Sequence, residues 1–257
     1  MRMLITPQHG EPLELVDGSS NSPHEFHGEI TVLEGGDDGS VDGWYDAPPS
    51  KAQSVDAPTV QGSYWPANIS LSQERVITVR GHHMSFDPEA STVTEGLFIE
   101  RITALAYQPV MIELVDQLGA RHVSGFMSAA PVVRRRMLTR TDFSLVFTCP
   151  DPLKYGLPIR FPVVDGECVA ENQGSAASLP VVEVEGNVTA VSVTLNGHTV
   201  AWKGSAANLT LDFANLSIVE GITINDVSAV PPGVSTIRVV TTPANVPVSV
   251  IVRPAWR

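Results

Sequence analysis

The chain has 257 residues, of which 43% are hydrophobic and 17% charged, and its formal net charge is −12. That length accommodates one large β domain or two ordinary ones, and the hydrophobic fraction is sufficient for real cores. The acidic balance argues against a basic DNA-reading surface, so no sequence-specific nucleic-acid partner is expected.

The first quarter of the chain carries most of the negative charge, because residues 1–66 hold 11 acidic and 2 basic side chains. An acidic surface would repel nucleic acid, as the wall of a DNA conduit must, although ordinary solubility is the simpler explanation. The first ten residues contain no long apolar core and no cleavage site, so no signal peptide is expected. No run approaches the roughly 18 apolar residues that cross a membrane, so no membrane insertion is expected.

Two short strands are predicted in this region, at residues 13–16 and 30–33. Residues 34–61, by contrast, are rich in Gly, Asp, Ser and Pro without a sustained period, which predicts a long acidic loop. Loops of this length inside compact domains are usually functional or interfacial. We therefore expect a chain that lacks residues 34–61 to keep both domains folded and to lose assembly.

A longer strand follows. Residues 68–81 alternate between apolar and polar side chains with a period of two, which predicts a strand that ends at Gly81. The ten residues after it, H-H-M-S-F-D-P-E-A-S, predict a turn-rich link.

The chain contains one convincing helical pattern, over residues 92–107. Thr92 or Thr94 would cap this helix, Glu95 lies in its first turn, and Pro109 would end it. Its apolar stripe consists of Leu97, Ile99, Ile102, Leu105 and Ala106.

Four more strands are predicted after the helix, at residues 111–116, 122–127, 132–139 and 141–148. In the last of these, Phe143, Leu145 and Phe147 alternate and would point to one face of the sheet. The pattern up to residue 156 therefore predicts a first domain of mainly β structure with one helix.

Two prolines mark the exit from this domain. Pro150 and Pro152 donate no ladder hydrogen bonds and hold the residues before them extended, so the sheet must end there and the exit is stiff.

Residues 157–171 are predicted as a linker. Residues 172–257 alternate in short strands separated by turns roughly every 8–12 residues, which predicts a second domain, a β-sandwich.

The exit and the start of the second domain carry a pattern of their own. It consists of C-P-D-P-x-x-Y, then N-x-G, then a proline and alternating valines before a glycine. The positions are Cys149, Pro150, Asp151, Pro152, Tyr155, Asn172, Gly174, Pro180, Val182, Val184 and Gly186. This pattern resembles the junction in the distal tail proteins of siphophages, the tail-tip hub ring subunits among the phage minor tail proteins.

Further segments extend the resemblance over roughly residues 70–257. In the second half these are L-N-G at 195–197, L-D-F at 211–213, P-G at 232–233 and R-P-A-W at 253–256. The asparagine that usually follows P-G in the family is absent here, where the chain has G-V-S-T-I. In the first half, R-V-I-T-V-R-G, the helix and F-S-L-V-F resemble the ring-forming domain.

The resemblance implies a fold and a function. The fold is mainly β with two domains, an N-terminal β-sandwich-like ring domain with one helix and a C-terminal galectin-like β-sandwich that docks partners. The function is a structural subunit of a hexameric ring at the distal end of a long non-contractile tail, in the virion after assembly in the host cytoplasm. The alternative is a carbohydrate-binding β-sandwich protein.

The resemblance also implies the partners. One face of the homo-oligomeric ring would meet the tail tube protein. The other would meet tail-tip hub or tail-associated proteins and receptor-binding proteins. The tape measure protein and DNA would pass through the lumen.

Signals for chemistry are weak, and no enzymatic activity, catalytic residue, cofactor or metal site is predicted, because no known catalytic or phosphate-binding motif occurs. His82 and His83 are the best metal candidates, but neighbours on a strand point to opposite faces, which favours surface or interface histidines. His9, His24 and His27 suit turns as well as a site.

Clusters of acidic and basic residues also have simpler explanations. The spacing of Asp37, Asp38 and Asp42 does not fit a calcium-binding loop, which favours a solvated acidic loop. Glu183 and Glu185 could serve a glycosidase, but the solvent face of a strand is favoured. The basic run at 134–136 could contact DNA, but pairing with the acidic loop of a neighbouring subunit is favoured.

The aromatic residues and cysteines leave alternatives open. Aromatic side chains could stack on sugars, line protein interfaces or pack in cores; the candidates are Trp44, Tyr45, Tyr64, Trp65, Trp202 and Trp256. Cys149 and Cys168 are predicted to be buried thiols of a protein made in a reducing cytosol, although a disulfide between them is possible.

Overall fold

The computed structural model describes residues 1–17, 29–33, 40–52, 55–56, 61, 63–64, 71–85, 91–137 and 139–257. The chain divides into two compact units, Met1–Lys154 with Arg257, and Tyr155–Trp256. Most described residues lie in strands, so the predicted mainly β, two-domain fold is confirmed. None of the helices in these described ranges is long and apolar enough to cross a membrane.

The first unit combines one helix, α1 (Ser91–Ala104), with a set of mostly antiparallel strands. The strands are β1 (Arg2–Pro7), β2 (Leu13–Asp17), β3 (Glu29–Leu33), β4 (Val41–Asp42), β5 (Val55–Asp56), β6 (Ser63–Tyr64), β7 (Arg75–Ser85), β8 (Pro109–Asp116), β9 (Gly119–Met127), β10 (Val132–Met137) and β11 (Arg140–Cys149). The division between the units falls within β12 (Lys154–Tyr155).

The main sheet of the first unit closes on itself. Its strand order is β11-β7-β3-β2-β1-β8-β9, and β9 returns to pair with β11, where Met127 lies opposite Phe147. The result is a seven-stranded barrel, to which β10 is added along the edge of β11. Inward-facing residues of β11 fill the barrel as predicted, since Phe143, Leu145 and Phe147 are at most 4% exposed.

Strand β1 is central to this barrel and was not among the predicted strands. It pairs with both β2 and β8, and it buries Met3 and Ile5 completely. Its alternation covers only six residues at the start of the chain, with no turn signal ahead of it. The predicted strands at 13–16 and 30–33 are confirmed as β2 and β3.

Strand β7 continues beyond its predicted end. It runs to Ser85, so the prediction that the strand ends at Gly81 is wrong, as is the turn-rich link for residues 82–85. Gly81 serves close packing, because a Cβ there would lie 2.4 Å from the Val32 carbonyl oxygen and 2.7 Å from the Phe143 ring. At residues 71–74 the predicted strand is also wrong, because β7 begins at Arg75. The remaining predicted parts of this region, 68–70 and 86–90, lie outside the described residues.

The predicted helix is confirmed, but its buried face differs from the predicted stripe. Phe98, Ile102 and Leu105 are at most 2% exposed, whereas Leu97 is 49% exposed. Successive residues lie about 100° apart around a helix. A stripe that includes Leu97 in place of Phe98 is therefore rotated by one residue from the face that is buried. The proposed caps at Thr92 and Thr94 are side chains outside the described part of the structure.

The second unit is a β-sandwich. Besides a short 3₁₀ helix (Leu216–Ile218), it contains β13 (Ile159–Pro162), β14 (Glu167–Asn172), β15 (Val181–Leu195), β16 (His198–Asp212), β17 (Ile222–Asn225), β18 (Gly233–Thr242), β19 (Val248–Val252) and β20 (Ala255–Trp256). Its two ends meet, because the Gly156 amide donates a hydrogen bond of 2.9 Å to the Pro254 carbonyl.

One long hairpin, β15–β16, supplies strands to both layers of the sandwich. The first part of β15 pairs with β19, and its last part pairs with β18. Between them the register shifts twice after Glu185, and Gly186 adopts a φ of +106°. These irregularities bend the hairpin, so that inward-facing valines on either side of the bend enter one core.

The segment predicted as a linker, residues 157–171, contains β13 and most of β14. In β14 the alternate residues Cys168, Ala170 and Asn172 are buried. None of these three is a strong strand former, and the exposed positions that alternate with them are Glu167, Val169 and Glu171, so the alternation is hard to detect in the sequence.

Candidate functional site at the exit of the first unit

Arg75 is the first residue of β7 and is only 2% exposed. Its Nε donates to the Pro152 carbonyl at 2.8 Å, and its Nη1 donates to the carbonyls of Gly43 at 2.5 Å and Asp46 at 2.8 Å. A buried charge is costly unless its donors find acceptors, and here Nε and Nη1 do, whereas the buried Nη2 has none among the described residues. Arg75 therefore ties residues 43–46 to the proline-containing exit of the barrel.

A second buried cation lies beside it. Lys154 is 3% exposed, and its Nζ donates to the Trp44 carbonyl at 2.8 Å and lies 6.0 Å from the centre of the Trp44 ring. Burial, followed by the nearby charges of Arg75 and Arg121, lowers the pKa of Lys154 to about 8. We refer to Arg75, Lys154 and Trp44 as the exit cluster.

The exit cluster overturns part of the loop prediction for residues 34–61. Trp44 is 1% exposed in the core of the first unit, and Val41 and Asp42 form β4 against β7. Gly43 allows this approach, because at its φ of +77° a Cβ would lie 2.0 Å from the Val76 carbonyl oxygen. Within the described range 40–52, these contacts argue against the expectation that the segment is dispensable for folding, which stays a prediction.

The exit cluster holds the backbone in place where the first unit ends. It immobilises the chain from Pro152 to Lys154, directly before the division between the units. The stiffness expected from Pro150 and Pro152 thus has a second source, the buried hydrogen bonds to Arg75 and Lys154. Backbone carbonyls have no sequence signature, so only the isolated basic residues at 75 and 154 hinted at this arrangement.

The N-x-G part of the junction pattern has a structural role in the second unit. Asn172 is 1% exposed, and its Nδ2 donates to the carbonyls of Ala176 at 2.8 Å and Val230 at 3.0 Å. Its Oδ1 accepts from the Gly174 amide at 3.0 Å. A Cβ on Gly174 would lie 1.9 Å from the Ala255 carbonyl oxygen, so glycine is required where β20 packs.

The two adjacent histidines point to opposite faces, as predicted, but His83 is not a surface residue. Its ring stacks on Phe98 at 4.3 Å, and its Nδ1 lies 3.1 Å from the Thr31 hydroxyl. His9 is exposed and exchanges backbone hydrogen bonds with the Gln108 side chain. His24 and His27 lie outside the described residues, among which no three His, Cys, Asp or Glu side chains converge as metal ligands.

The acidic candidates are on the surface. Asp42 pairs with Arg80 at 2.8 Å, while Asp37 and Asp38 lie outside the described residues. Glu183 pairs with Arg160, and the valines at 182 and 184 are buried, so the solvent-face prediction for this strand is confirmed.

The basic run at 134–136 pairs mainly within its own chain. Arg135 contacts Glu95 at 3.2 Å, and Arg136 contacts Asp142 at 2.7 Å. These two arginines thus have partners within the chain, and the expected pairing with a neighbouring subunit stays a prediction. Arg134 is exposed and lies opposite Asp142 in the strand register.

Two of the aromatic candidates are core residues. Trp44 and Trp202 are 1% and 5% exposed, and the Trp202 indole N–H donates to the Glu220 carbonyl at 2.8 Å. Neither can stack on a sugar. Tyr45 is 55% exposed and donates to Asp116 at 2.8 Å, while Trp65 and the Tyr64 side chain lie outside the described residues.

Trp256, the last of these aromatics, is partly buried over Gly156, where a Cβ would lie 3.0 Å from the indole ring. The two cysteines are free and buried, as predicted, one in each core. Burial raises the pKa of Cys149 to about 11, so its thiol stays neutral and unreactive at physiological pH.

No model of a known protein family matches this chain, and no curated protein matches it. Among solved structures, the Dit protein of phage SPP1, described as a hub adsorption apparatus, superposes with a TM-score of 0.60 at 15% identity, over 84% of this chain and 92% of that one.

A chain of the phage P2 baseplate, in the activated conformation with calcium, gives 0.54 at 5% identity over 98% of both chains. The same baseplate with strontium gives 0.51 at 6% identity. Over most of its length the chain therefore shares its fold with a phage hub protein and with a chain of a phage baseplate.

Proposed function

We propose that the protein is a structural subunit of the distal end of a long non-contractile bacteriophage tail. Copies form a six-membered ring that joins the tail tube to the tail-tip and receptor-binding apparatus and lets DNA pass. The first unit forms the ring, and the second unit is the docking domain. The protein acts as a scaffold in the virion and not as an enzyme.

The observation that carries this proposal is the extent of the shared fold. It spans both units of this chain and nearly all of the hub protein, so the barrel, the sandwich and their order along the chain all correspond. Fold alone does not assign a function. The junction pattern from Cys149 to Gly186 supports the same assignment independently, because it was identified from the sequence.

The exit cluster supports a structural role for the boundary between the units. A ring subunit that docks partners through a second unit needs a defined chain direction at that boundary. Arg75 and Lys154 supply it through buried hydrogen bonds to Pro152 and Trp44. The acidic first segment supports a lumen that does not retain DNA.

Electron microscopy of the purified protein tests the proposal. We expect closed rings with six-fold symmetry, and light scattering at increasing concentration should show a mass that approaches six subunits. If the protein stays monomeric at the highest concentration, both alone and mixed with the tail tube protein of the same phage, the proposal is wrong.

A further inference from the structure

Strand β10 has an open backbone edge. Each of the seven barrel strands is paired on both sides, whereas β10 pairs only with β11 among the strands that the structure describes. An open edge presents unpaired N–H and C=O groups that can accept another strand. Val132 on this strand is 47% exposed, so the edge also offers apolar contact.

The same strand carries an excess of positive charge. Arg136 and Arg140 both bind Asp142, with distances of 2.7 Å and 2.9 Å. Arg134 lies opposite the same aspartate and makes no ion pair with any residue in the described ranges. Asp142 thus pairs with two guanidinium groups and Arg134 with no carboxylate among the described residues, so the outer face of β10 can accept a further carboxylate.

The second unit has an open edge of the opposite charge. Strand β14 has the same length as β10, six residues, and pairs only with β18 among the described strands. The amide and carbonyl of Glu167 already bond Val164, so the open part of this edge lies at Val169 and Glu171. Glu167, Val169 and Glu171 alternate on its solvent face, and Val169 is 64% exposed. Neither glutamate forms an ion pair within the described part of the chain.

We propose that β10 of one copy pairs edge to edge with the Val169 and Glu171 part of β14 of a second copy, so that Arg134 meets Glu171. Main-chain hydrogen bonds extend one sheet into the next, and the arginine–carboxylate contacts select the partner strand. The exposed alternate positions are Val132, Arg134 and Arg136 on β10 and Glu167, Val169 and Glu171 on β14, so an arginine can lie opposite or diagonal to a glutamate.

The two paired surfaces are different, so the contact is heterologous and propagates from copy to copy. Such contacts close into a ring when the rotation between neighbours allows it. The inference rests on the proposed function, because it names the surfaces by which copies of the ring subunit meet. It adds a contact between the first unit of one copy and the second unit of the next.

Charge reversal tests the contact through two single variants, Arg134→Glu and Glu171→Arg. Neither breaks an ion pair found in the described residues, so both should fold. We expect each to weaken self-association at least about tenfold at low ionic strength, as measured by mass photometry. Lys203→Glu and Glu185→Arg change the charge equally at exposed positions outside both edges and should leave self-association unchanged.

The mixture and the combined variant give sharper results. Arg134→Glu keeps a native β14, Glu171→Arg keeps a native β10, and their two reversed edges are again of opposite charge, so mixing them should restore assembly in which the two variants alternate. A chain with both reversals should recover self-association. If the mixture does not assemble and the combined variant stays dissociated, the proposal is wrong.

Two other roles for the arginines predict opposite results. Edge strands are often protected against aggregation by charge, and in that case Arg134→Thr would increase association, whereas the proposed contact requires a decrease. If Arg134→Glu instead lowers binding to a double-stranded DNA fragment and leaves self-association unchanged, the cluster is a nucleic-acid contact and the proposal is overturned.

The result also separates this inference from the proposed function. If the wild type and all edge variants form rings, the β10–β14 contact is refuted and the proposed ring stands. A wild-type protein that forms no ring would refute both.

Discussion

At the scale of single residues, the most consequential positions are two buried cations whose partners are backbone carbonyls. The side chains of Arg75 and Lys154 are only 2% and 3% exposed, although the net charge of the chain is −12. Removing one member of a buried polar network leaves the other groups unsatisfied, which typically costs more than the net contribution of the bond. These two side chains therefore define where the first unit ends.

The titration of Lys154 makes a specific prediction. Its pKa falls from 10.5 to about 8 on folding, mainly through burial and then through Arg75 and Arg121, against the opposing charges of Asp116 and Asp46. Between these values the unfolded chain binds a proton that the folded chain does not. The contribution of Lys154 to stability therefore rises as the pH increases through this window and is constant below it.

We expect the unfolding free energy of the wild type, minus that of Lys154→Met, to increase by up to about 3 kcal/mol between pH 7 and pH 10. Urea denaturation at a series of pH values measures this difference. Cys149 opposes the trend above pH 9, but it is present in both proteins and cancels. A difference that does not change with pH would mean that Lys154 is charged and solvated in the folded protein.

At the scale of elements, the segment 40–46 shows how a loop-like sequence can be part of a core. Its strand, β4, is two residues long, and Trp44 fills the barrel behind it. A strand of two residues has no detectable period, so the composition of the surrounding segment decides the prediction, which here is a loop. The burial of Trp44 and the carbonyl acceptors for Arg75 come from the same few residues.

Deletion of residues 40–46 should unfold the first unit. The change removes Trp44, whose loss alone costs about 3–5 kcal/mol when a buried aromatic is truncated, and it leaves Arg75 without three of its acceptors, the carbonyls of Gly43, Trp44 and Asp46. Near-ultraviolet circular dichroism and a thermal melt check this outcome. Replacing Lys51 and Ala52, which are exposed or half-buried, by Gly-Ser is the matched control and should change the melting temperature little. A deletion variant with the wild-type melting curve would contradict the assignment of Trp44 to the core.

At the scale of the whole molecule, the strand content and the place of the boundary were accessible from the sequence, and the long-range pairings were not. Alternation located β7, β8, β9 and β11, and the prolines at 150 and 152 located the exit. Closure of the barrel by β9 and β11 depends on contacts between distant segments, and so does the parallel pairing of β2 with β3. The exit cluster was missed for the same reason, since Arg75 and Pro152 lie 77 residues apart.

The separate cores predict separate folding. Residues Tyr155–Trp256 contain a complete core of their own, including Val182, Leu211, Ile237 and Val250. A fragment of residues 155–257 should therefore fold cooperatively. In the full chain, the melting temperature of the second unit should not change on Arg75→Ala. Calorimetry of the fragment and of that variant provides the test. A fragment without a cooperative transition would show that the second unit depends on the first.

The hydrogen bond from Gly156 to Pro254 has an evolutionary consequence. Because the second unit begins and finishes at one point, it can be exchanged for an unrelated module without moving the chain on either side, which is the condition under which domain replacement succeeds. A lineage that carries this chain can therefore change what it docks while its barrel stays the same. Recombination at that single point, and not gradual substitution across the sandwich, would be the fastest route to a new second unit.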